Sequence, residues 1–557
     1  MARGGKTISK SGSQPAVSRR TFPPLNRRSV QNLVTNWPNL VITANPQPGV
    51  AQGRHQSGQQ PVPEAPQDEP GQPQAQPLHE ATPTHVEQAG HPPTHAPGQQ
   101  GVLHDEPGQE NPEVENLRLE DRCRPVVPPP SEPNSADSGW DSIRRLGGWK
   151  AFLVEFPMLE EISEQHKGAW CTAWKASLSK WKEASTEYDA ETALLWMGFW
   201  AQCLQRKPSR GGRQGRVEVA NRYECVIQGD WSGLVDRWER DRKKRDEKLA
   251  AKRRSRSDRE NEDEQRELNI QRKVVIGLIE AGQLGKAMNR VNSHGLGDPS
   301  DPIIKSQLTD KFPPRQRPLP EAVPKIKPID NFRCLRTSLL SLSPGTSPGS
   351  GGLRNEYLTA LGERMEDGEI KLLEELGLAY CSGELPAWFY GVWNSLQTVA
   401  PYKDSSQEAV RPLGLKNSLT KLFNKEVMVQ SKPELREFLE PVQLGLSVAG
   451  AVLLTRSVSG VMHTYRDFIC FRLDLKNAFN EMSRRAVLDV LNQEESLRHL
   501  VTFAAAILSP VAPLETGGRI WGETAEGMGQ GDPPSGDLFS VGLHPDLLEL
   551  DRACSEG

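Results

Sequence analysis

The stretch FICFRLDLKNAFN, residues 468 to 480, limits most tightly what this chain can fold into. Ile469, Phe471, Leu473 and Leu475 alternate with Phe468, Cys470, Arg472 and Asp474, the period of a strand with one apolar face. If that face packs on helices, Asp474 projects the other way, off the strand end and into whatever cleft lies there. Two readings of it are open: a surface aspartate closing a strand, or a carboxylate placed to ligate a cation. Further on, residues 527 to 539 read GMGQGDPPSGDLF. The glycines and the Pro-Pro pair permit a tight loop, and Asp532 can cap the apolar segment of Leu538, Phe539, Leu543 and Leu547, which has near-helical spacing.

Taken together, DLKNAFN and GMGQGDP resemble, in order and separation, two palm motifs of the reverse transcriptases of non-LTR retrotransposons: the first metal-binding aspartate block and the QGDP block that grips the template. The resemblance implies an RNA-directed DNA polymerase, with magnesium as cofactor and an RNA template, a DNA primer and a deoxynucleoside triphosphate (dNTP) as partners. It makes Asp474 a catalytic residue and the first magnesium ligand, since nucleotidyl transfer uses two such ions held by hard oxygen donors. Phe479 falls where the family has an aromatic that closes against the sugar 2′ carbon, although a plain core aromatic reads equally well from the residues. Asn480 would cap a helix. Gln530, Gly531, Asp532 and Pro533 would lie along the template and the nascent base pair.

The resemblance extends upstream. Residues 273 to 299 outline a helix-turn-helix containing a GQLGKA run of the kind that precedes the fingers, and residues 334 to 425 would be the fingers themselves. There SPGTSPGSGGLRNEYL (343 to 358) joins a Pro/Gly loop to a helix start, and GELPAWFYGVWNSLQTVAPYKD (383 to 404) leads through a helix and a strand into a hairpin. By the same likeness, Lys403 and Arg411 on that hairpin would hold the triphosphate, chemistry suited to a mobile ammonium and a bidentate guanidinium. Taken singly, each is an ordinary surface charge. Residues 440 to 458 match a Gln-x-Gly turn at Gln443 and Gly445, and the helix that follows is expected to pack under the palm. There is one departure: the family takes its remaining carboxylates from an aromatic-x-Asp-Asp hairpin beyond QGDP, and no Asp-Asp pair occurs in this sequence. The expectation is fingers plus an incomplete palm, inactive as an isolated chain, with an unpaired edge on the Asp474 strand.

The rest of the chain reads from composition and periodicity. Residues 1 to 138 are rich in Pro, Gln, Gly, His and Ser without an apolar period, so they cannot offset the entropy of ordering and are expected to be disordered. From 139 to 236 tryptophans recur at helical spacing, Trp170, Trp174 and Trp181 on one face and Trp196 and Trp200 on another, as a core stripe or a base-stacking one. Residues 237 to 299 carry a mixed-charge helix and the helix-turn-helix. Its KKR and KRRSR clusters, with the basic loop 207 to 218, would be the working surface if the chain were instead a non-enzymatic nucleic-acid-binding protein derived from such an element. Residues 300 to 557 hold the polymerase-like part. The expected fold is α+β, a partial right-hand polymerase preceded by a helical region and a long disordered N-terminus.

A formal charge of −4 means no overall basicity. Eight cysteines without a CxxC pair indicate neither a zinc ribbon nor a disulfide framework, which points to a reducing intracellular compartment, nucleus or cytoplasm. No run of 18 apolar residues exists, so no membrane span is expected.

Overall fold

In the computed structural model the described residues are 40–44, 116–119, 139–147, 153, 156–254, 260–280, 282–465 and 470–555. Two short strands come from the region expected to be disordered, β1 (Leu40–Ala44) and β2 (Asn116–Arg118). Apart from these and Leu119, residues 1 to 138 lie outside the described residues.

Helices α1 (Glu164–Glu183) and α2 (Glu187–Leu204) form the centre of the N-terminal half. Thr186 starts α2 by accepting the Asp189 N–H at 3.1 Å. From Glu191 to Leu204 every residue of α2 is buried, and a helix without a polar face belongs inside a core. Trp170, Trp174, Trp196 and Trp200 are all 0% exposed, which decides between the two readings of the tryptophan stripes: these rings are core. Trp196 stacks on Trp200 with centroids 4.7 Å apart. The indole N–H groups of Trp170, Trp196 and Trp200 donate to the Tyr357 carbonyl, the Trp140 carbonyl and Ser177 Oγ, so burial leaves them satisfied.

Helices α3 (Gly212–Gln228) and α4 (Trp231–Arg254) pack against this pair, and the boundary expected between residues 236 and 237 falls inside α4. One hydrophobic core runs from Leu119 to Val541, so the helical region and the residues from 300 onward share an interior. Helices α5 (Glu260–Glu280) and α6 (Leu284–Val291) occupy the expected helix-turn-helix, with Leu284, Met288 and Val291 turned largely to solvent. Asp301 caps α7 (Pro302–Thr309) through the N–H groups of Ile303 and Ile304, with Pro302 in the first turn. Next come α8 (Leu335–Leu340), α9 (Asn355–Arg364), α10 (Asp367–Cys381) and α11 (Ala387–Trp393); a reciprocal capping box between Glu366 and Glu369 opens α10. Trp388 of α11 donates from Nε1 to the buried Glu191 of α2 at 2.7 Å.

The remaining strands are β3 (Leu296–Gly297), β4 (Ala322–Pro324), β5 (Leu396–Pro401), β6 (Leu413–Leu415), β7 (Phe471–Leu475), β8 (Ala512–Thr516) and β9 (Arg519–Thr524). Strand β5 is the hub, antiparallel to β3 and β6 and parallel to β8, which in turn pairs with β9. Gly517 and Gly518, both at positive φ, make the two-residue turn between β8 and β9 that matches the strand twist. The Asp474 strand, β7, stands outside this sheet. It pairs only with β1, Val41 opposite Asp474, so its other edge is unpaired among the described residues. Phe468 and Ile469, the start of the alternating pattern, lie outside the described residues. Strands β2 and β4 form a separate pair.

The later helices are α12 (Ser418–Gln430), α13 (Lys432–Leu439), α14 (Gly450–Thr464), α15 (Ala478–Glu481), α16 (Arg484–Gln493), α17 (Val501–Leu508) and α18 (Pro533–Ser555). The helix expected to pack under the palm, α14, does not. Val452, Leu453 and Leu454 are 50, 48 and 55% exposed, and only Gly450 is buried. Those three apolar residues are consecutive and point around the helix, and among the described residues no layer covers them. The architecture is mixed, mostly helical with one five-stranded sheet and two strand pairs among the described residues, compatible with α+β. No helix among the described residues is long and apolar enough to cross a membrane.

Glu515 on β8 is 2% exposed, and burial pushes its carboxyl up to about 7. With the folded pKa above the unfolded one, the neutral form stabilises the fold at low pH, and stability falls as pH rises through 7. Glu515→Gln is expected to raise stability by about 3 kcal/mol at pH 8 and to change nothing at pH 4. Parallel melting-temperature profiles against pH for the two proteins would overturn this.

Candidate functional site

The site is built around the turn that follows β7. Asp474 is exposed near the strand's end, and Lys476 beside the turn is exposed too. Asn477 adopts a left-handed conformation (φ 55), reversing the chain into the single turn of α15. Asn480 does not cap a helix as expected. It is buried, and its Nδ2 donates to the carbonyl of Lys311 at 2.8 Å, while Asn477 Nδ2 donates to the same oxygen at 3.0 Å. Two amides saturate the two lone pairs of one carbonyl and pin the Lys311 segment to the turn.

The half-buried Lys311 ammonium is held below its ordinary pKa, first by burial and then by the charges of Lys403 and Lys476. The Lys311 ammonium therefore lies within electrostatic reach of Lys403 and Lys476, cations from two distant segments, and of the carboxylates of Asp310 and Glu481. Lys403 is placed by the connection between β5 and β6, where its N–H donates to the Ala409 carbonyl at 2.8 Å and the Arg411 N–H to the Pro401 carbonyl at 2.9 Å. Gln307 of α7 steadies that connection, Nε2 donating to the Glu408 carbonyl at 2.7 Å and Oε1 accepting the Val410 N–H at 3.1 Å. Arg411 is exposed on the same connection and is not among the charges that shift Lys311.

The glycine loop docks on the other side of the turn. The N–H of Met528 donates to the Phe479 carbonyl at 2.7 Å and that of Gly527 to the Met482 carbonyl at 3.1 Å. A Cβ on Gly527 would meet the carbonyl oxygen, carbon and Cα of Asn480 at 2.1 to 2.4 Å, so the backbones touch only because that residue is glycine. Phe479 is half-buried and packs on Phe539 of α18, ring centroids 5.2 Å apart, so the core reading describes its present contact. Gln530 and Pro533 are half-buried and Gly531 is exposed, leaving that part of the loop on the surface.

Asp532 turns inward, and among the described residues its carboxylate caps no helix. Its side chain is 7% exposed and forms an ion pair with Lys416, itself 6% exposed, while Asn424 Nδ2 donates to its other oxygen at 3.0 Å. In this structure Asp532 thus ties the loop to α12 and to the residue just after β6. Lys416→Met is expected to cost about 3 kcal/mol by stranding a buried carboxylate, and adding Asp532→Leu should recover most of that. Additive losses in a double-mutant cycle followed by chemical denaturation would refute the pairing.

Three supporting residues carried no signal in the sequence: Lys311, Lys416 and Arg484. Arg484 is 4% exposed and donates to the carbonyls of Gly527 (2.8 Å), Leu508 (2.7 Å) and Pro510 (3.0 Å) and to Thr524 Oγ1 (3.2 Å). It joins the glycine loop to α17 and β9. Nearby, Glu526 accepts the backbone N–H groups of Arg484 at 2.6 Å and Gln316 at 3.0 Å.

The arrangement gathers the ammoniums of Lys403 and Lys476 around Lys311, with the carboxylates of Asp310 and Glu481 in the same field and the exposed Asp474 at the strand's end. Such a surface suits an anion bearing several oxygens, such as a phosphate ester. No family model matches this chain, and no curated protein matches it in sequence.

Proposed function

We propose that this chain forms the fingers and the front of the palm of an RNA-directed DNA polymerase of the non-LTR retrotransposon kind, taking a dNTP between the β5–β6 connection and the turn after β7. The observation that carries this reading is the convergence at Lys311. Its carbonyl is held by the turn behind Asp474, and its ammonium shares a field with Lys403 and Lys476. That juxtaposition supports the pairing of DLKNAFN with the hairpin lysine that the resemblance implied. The docking of the GMGQGDP loop on the same turn supports it further.

One carboxylate does not make a magnesium cradle. Among the described residues no three His, Cys, Asp or Glu side chains are grouped to hold a metal. Asp474 fits a single ligand of a triphosphate-bound magnesium and no more. The role derived for these residues is therefore binding: ammoniums neutralise phosphate oxygens, and the turn fixes where the nucleotide stops. Primer extension on an RNA template is not expected from this chain alone, and extension that Asp474→Ala abolishes would refute that.

Equilibrium dialysis with labelled dATP tests the binding itself. Lys403→Gln combined with Arg411→Gln is expected to weaken binding by about tenfold or more, each charged hydrogen bond contributing about 1.5–3 kcal/mol. Equal affinity for variant and parent would refute the proposal.

A further inference from the structure

We propose that the cleft between α3 and α4, remote in sequence from the turn after β7, binds the phosphodiester backbone of a nucleic acid. Two adjoining cavities of about 360 and about 140 Å³ open there. Their floor is built from arginines that solvent does not reach, Arg206 and Arg222, each 1% exposed. Arg206 reaches Asp241 with Nε at 3.0 Å and Nη2 at 2.8 Å. Arg222 reaches Glu218 with Nη2 and the Arg206 carbonyl with Nη1, both at 2.6 Å. The Nε of Arg222 is buried and has no acceptor among the described residues. Glu218 and Asp241 are the only acids lining either cavity, and both are engaged with the floor.

The rim is cationic and open. Lys207, Arg210, Lys244 and Lys248 line it and are exposed, and none of the three lysines has an ion-pair partner among the described residues. Along α4, Arg237, Arg240, Lys244 and Lys248 recur every three or four residues, one helical turn or about 5 Å apart. The charges therefore form a row. A chain with net charge −4 that gathers cations along one cleft is complementary to an extended polyanion. Regular spacing beside guanidinium groups favours phosphodiesters, whose charges repeat at fixed intervals, over an acidic peptide, whose charges do not. A compact polyphosphate would engage one end of the row only. The proposal does not depend on the polymerase reading, because the cleft shares no residue with that site.

The test uses the full chain and a fluorescein-labelled single-stranded RNA 20-mer, followed by anisotropy across a salt series. Lys207→Gln, Lys244→Gln and Lys248→Gln together change only exposed side chains. They are expected to weaken binding at least tenfold and to flatten the slope of log affinity against log salt by about two, given roughly 0.7 per single-strand phosphate contact. The matching Lys→Arg triple should restore binding, and Lys305→Gln with Lys371→Gln, exposed elsewhere, should leave it unchanged. Parental affinity in the Gln triple would overturn the proposal. So would displacement of the oligonucleotide by polyglutamate or by inositol hexakisphosphate as effectively as by unlabelled RNA. Loss of dATP binding in the Lys403/Arg411 variant, with RNA binding intact, would separate the two sites.

Discussion

Arg484→Met is expected to remove about 4–6 kcal/mol of stability, enough to unfold a domain at the lower end of the usual range of about 5–15 kcal/mol. The methionine fills the space but donates nothing. Three carbonyls, on Gly527 of the glycine loop, Leu508 at the end of α17 and Pro510 two residues on, then lose this donor in a place water does not reach, and Thr524 Oγ1 of β9 keeps only its bond to the Glu526 carbonyl. Each such loss is worth about 1–3 kcal/mol. Arg484→Lys keeps the charge but replaces a planar fork by a point, and about half the loss should remain. The adjacent Arg485→Met is the internal control, because Arg485 pairs with Asp489 one turn along α16 at a part-exposed position, where such pairs contribute little. Denaturation midpoints for the three variants measure this. A cost below about 1 kcal/mol for Arg484→Met would show that the loop does not depend on it.

Gly527→Ala comes next in size. The added methyl would overlap backbone atoms of Asn480 at 2.1 to 2.4 Å, and the residue sits at φ +68. Backbone cannot rotate away as a side-chain tip can, so the loop must lift off α15 and give up the two hydrogen bonds at Gly527 and Met528. A loss of about 4 kcal/mol is expected from strain and lost bonds together. Gly531→Ala separates the two causes, since Gly531 is also at positive φ (+89) but has nothing within 4 Å of its would-be Cβ. It should cost only about 1–2 kcal/mol. Equal effects of the two alanines on the melting temperature would mean that conformation alone matters and that the close approach to Asn480 is incidental.

Much of this was legible in local pattern, and the failures have a common cause. The strand carrying Asp474, the tight loop at 527–532 and the helix beginning at Pro533 could be read because each is decided by residues close in sequence. Helical spacing showed the tryptophan stripes but left their role open, and their burial settled it as core. What escaped were the long-range partners. Asp532 stands before a helix and looks like a cap, yet its carboxylate meets Lys416 and Asn424, more than a hundred residues away. Asn480 looks like another cap, but its acceptor is the carbonyl of Lys311, 169 positions earlier. Arg484 and Arg485 are neighbours of one type, and nothing local says that the first goes inward and the second stays at the surface. Helix α14 failed for a different reason. The likeness around Gln443 and Gly445 implied a helix packed under the palm, but among the described residues no layer covers its apolar face. The pairing of β7 with Leu40–Ala44 was invisible because that segment has no period to set it apart from its surroundings.

The continuous interior bears on how the chain can be divided. Trp170 reaches the Tyr357 carbonyl, and Trp388 reaches Glu191, so each half of the chain closes hydrogen bonds that the other half opens. Residues 300 to 557 produced without the tryptophan helices would carry a bare apolar underside and stranded polar atoms. Neither half can therefore be lifted out with its interior intact.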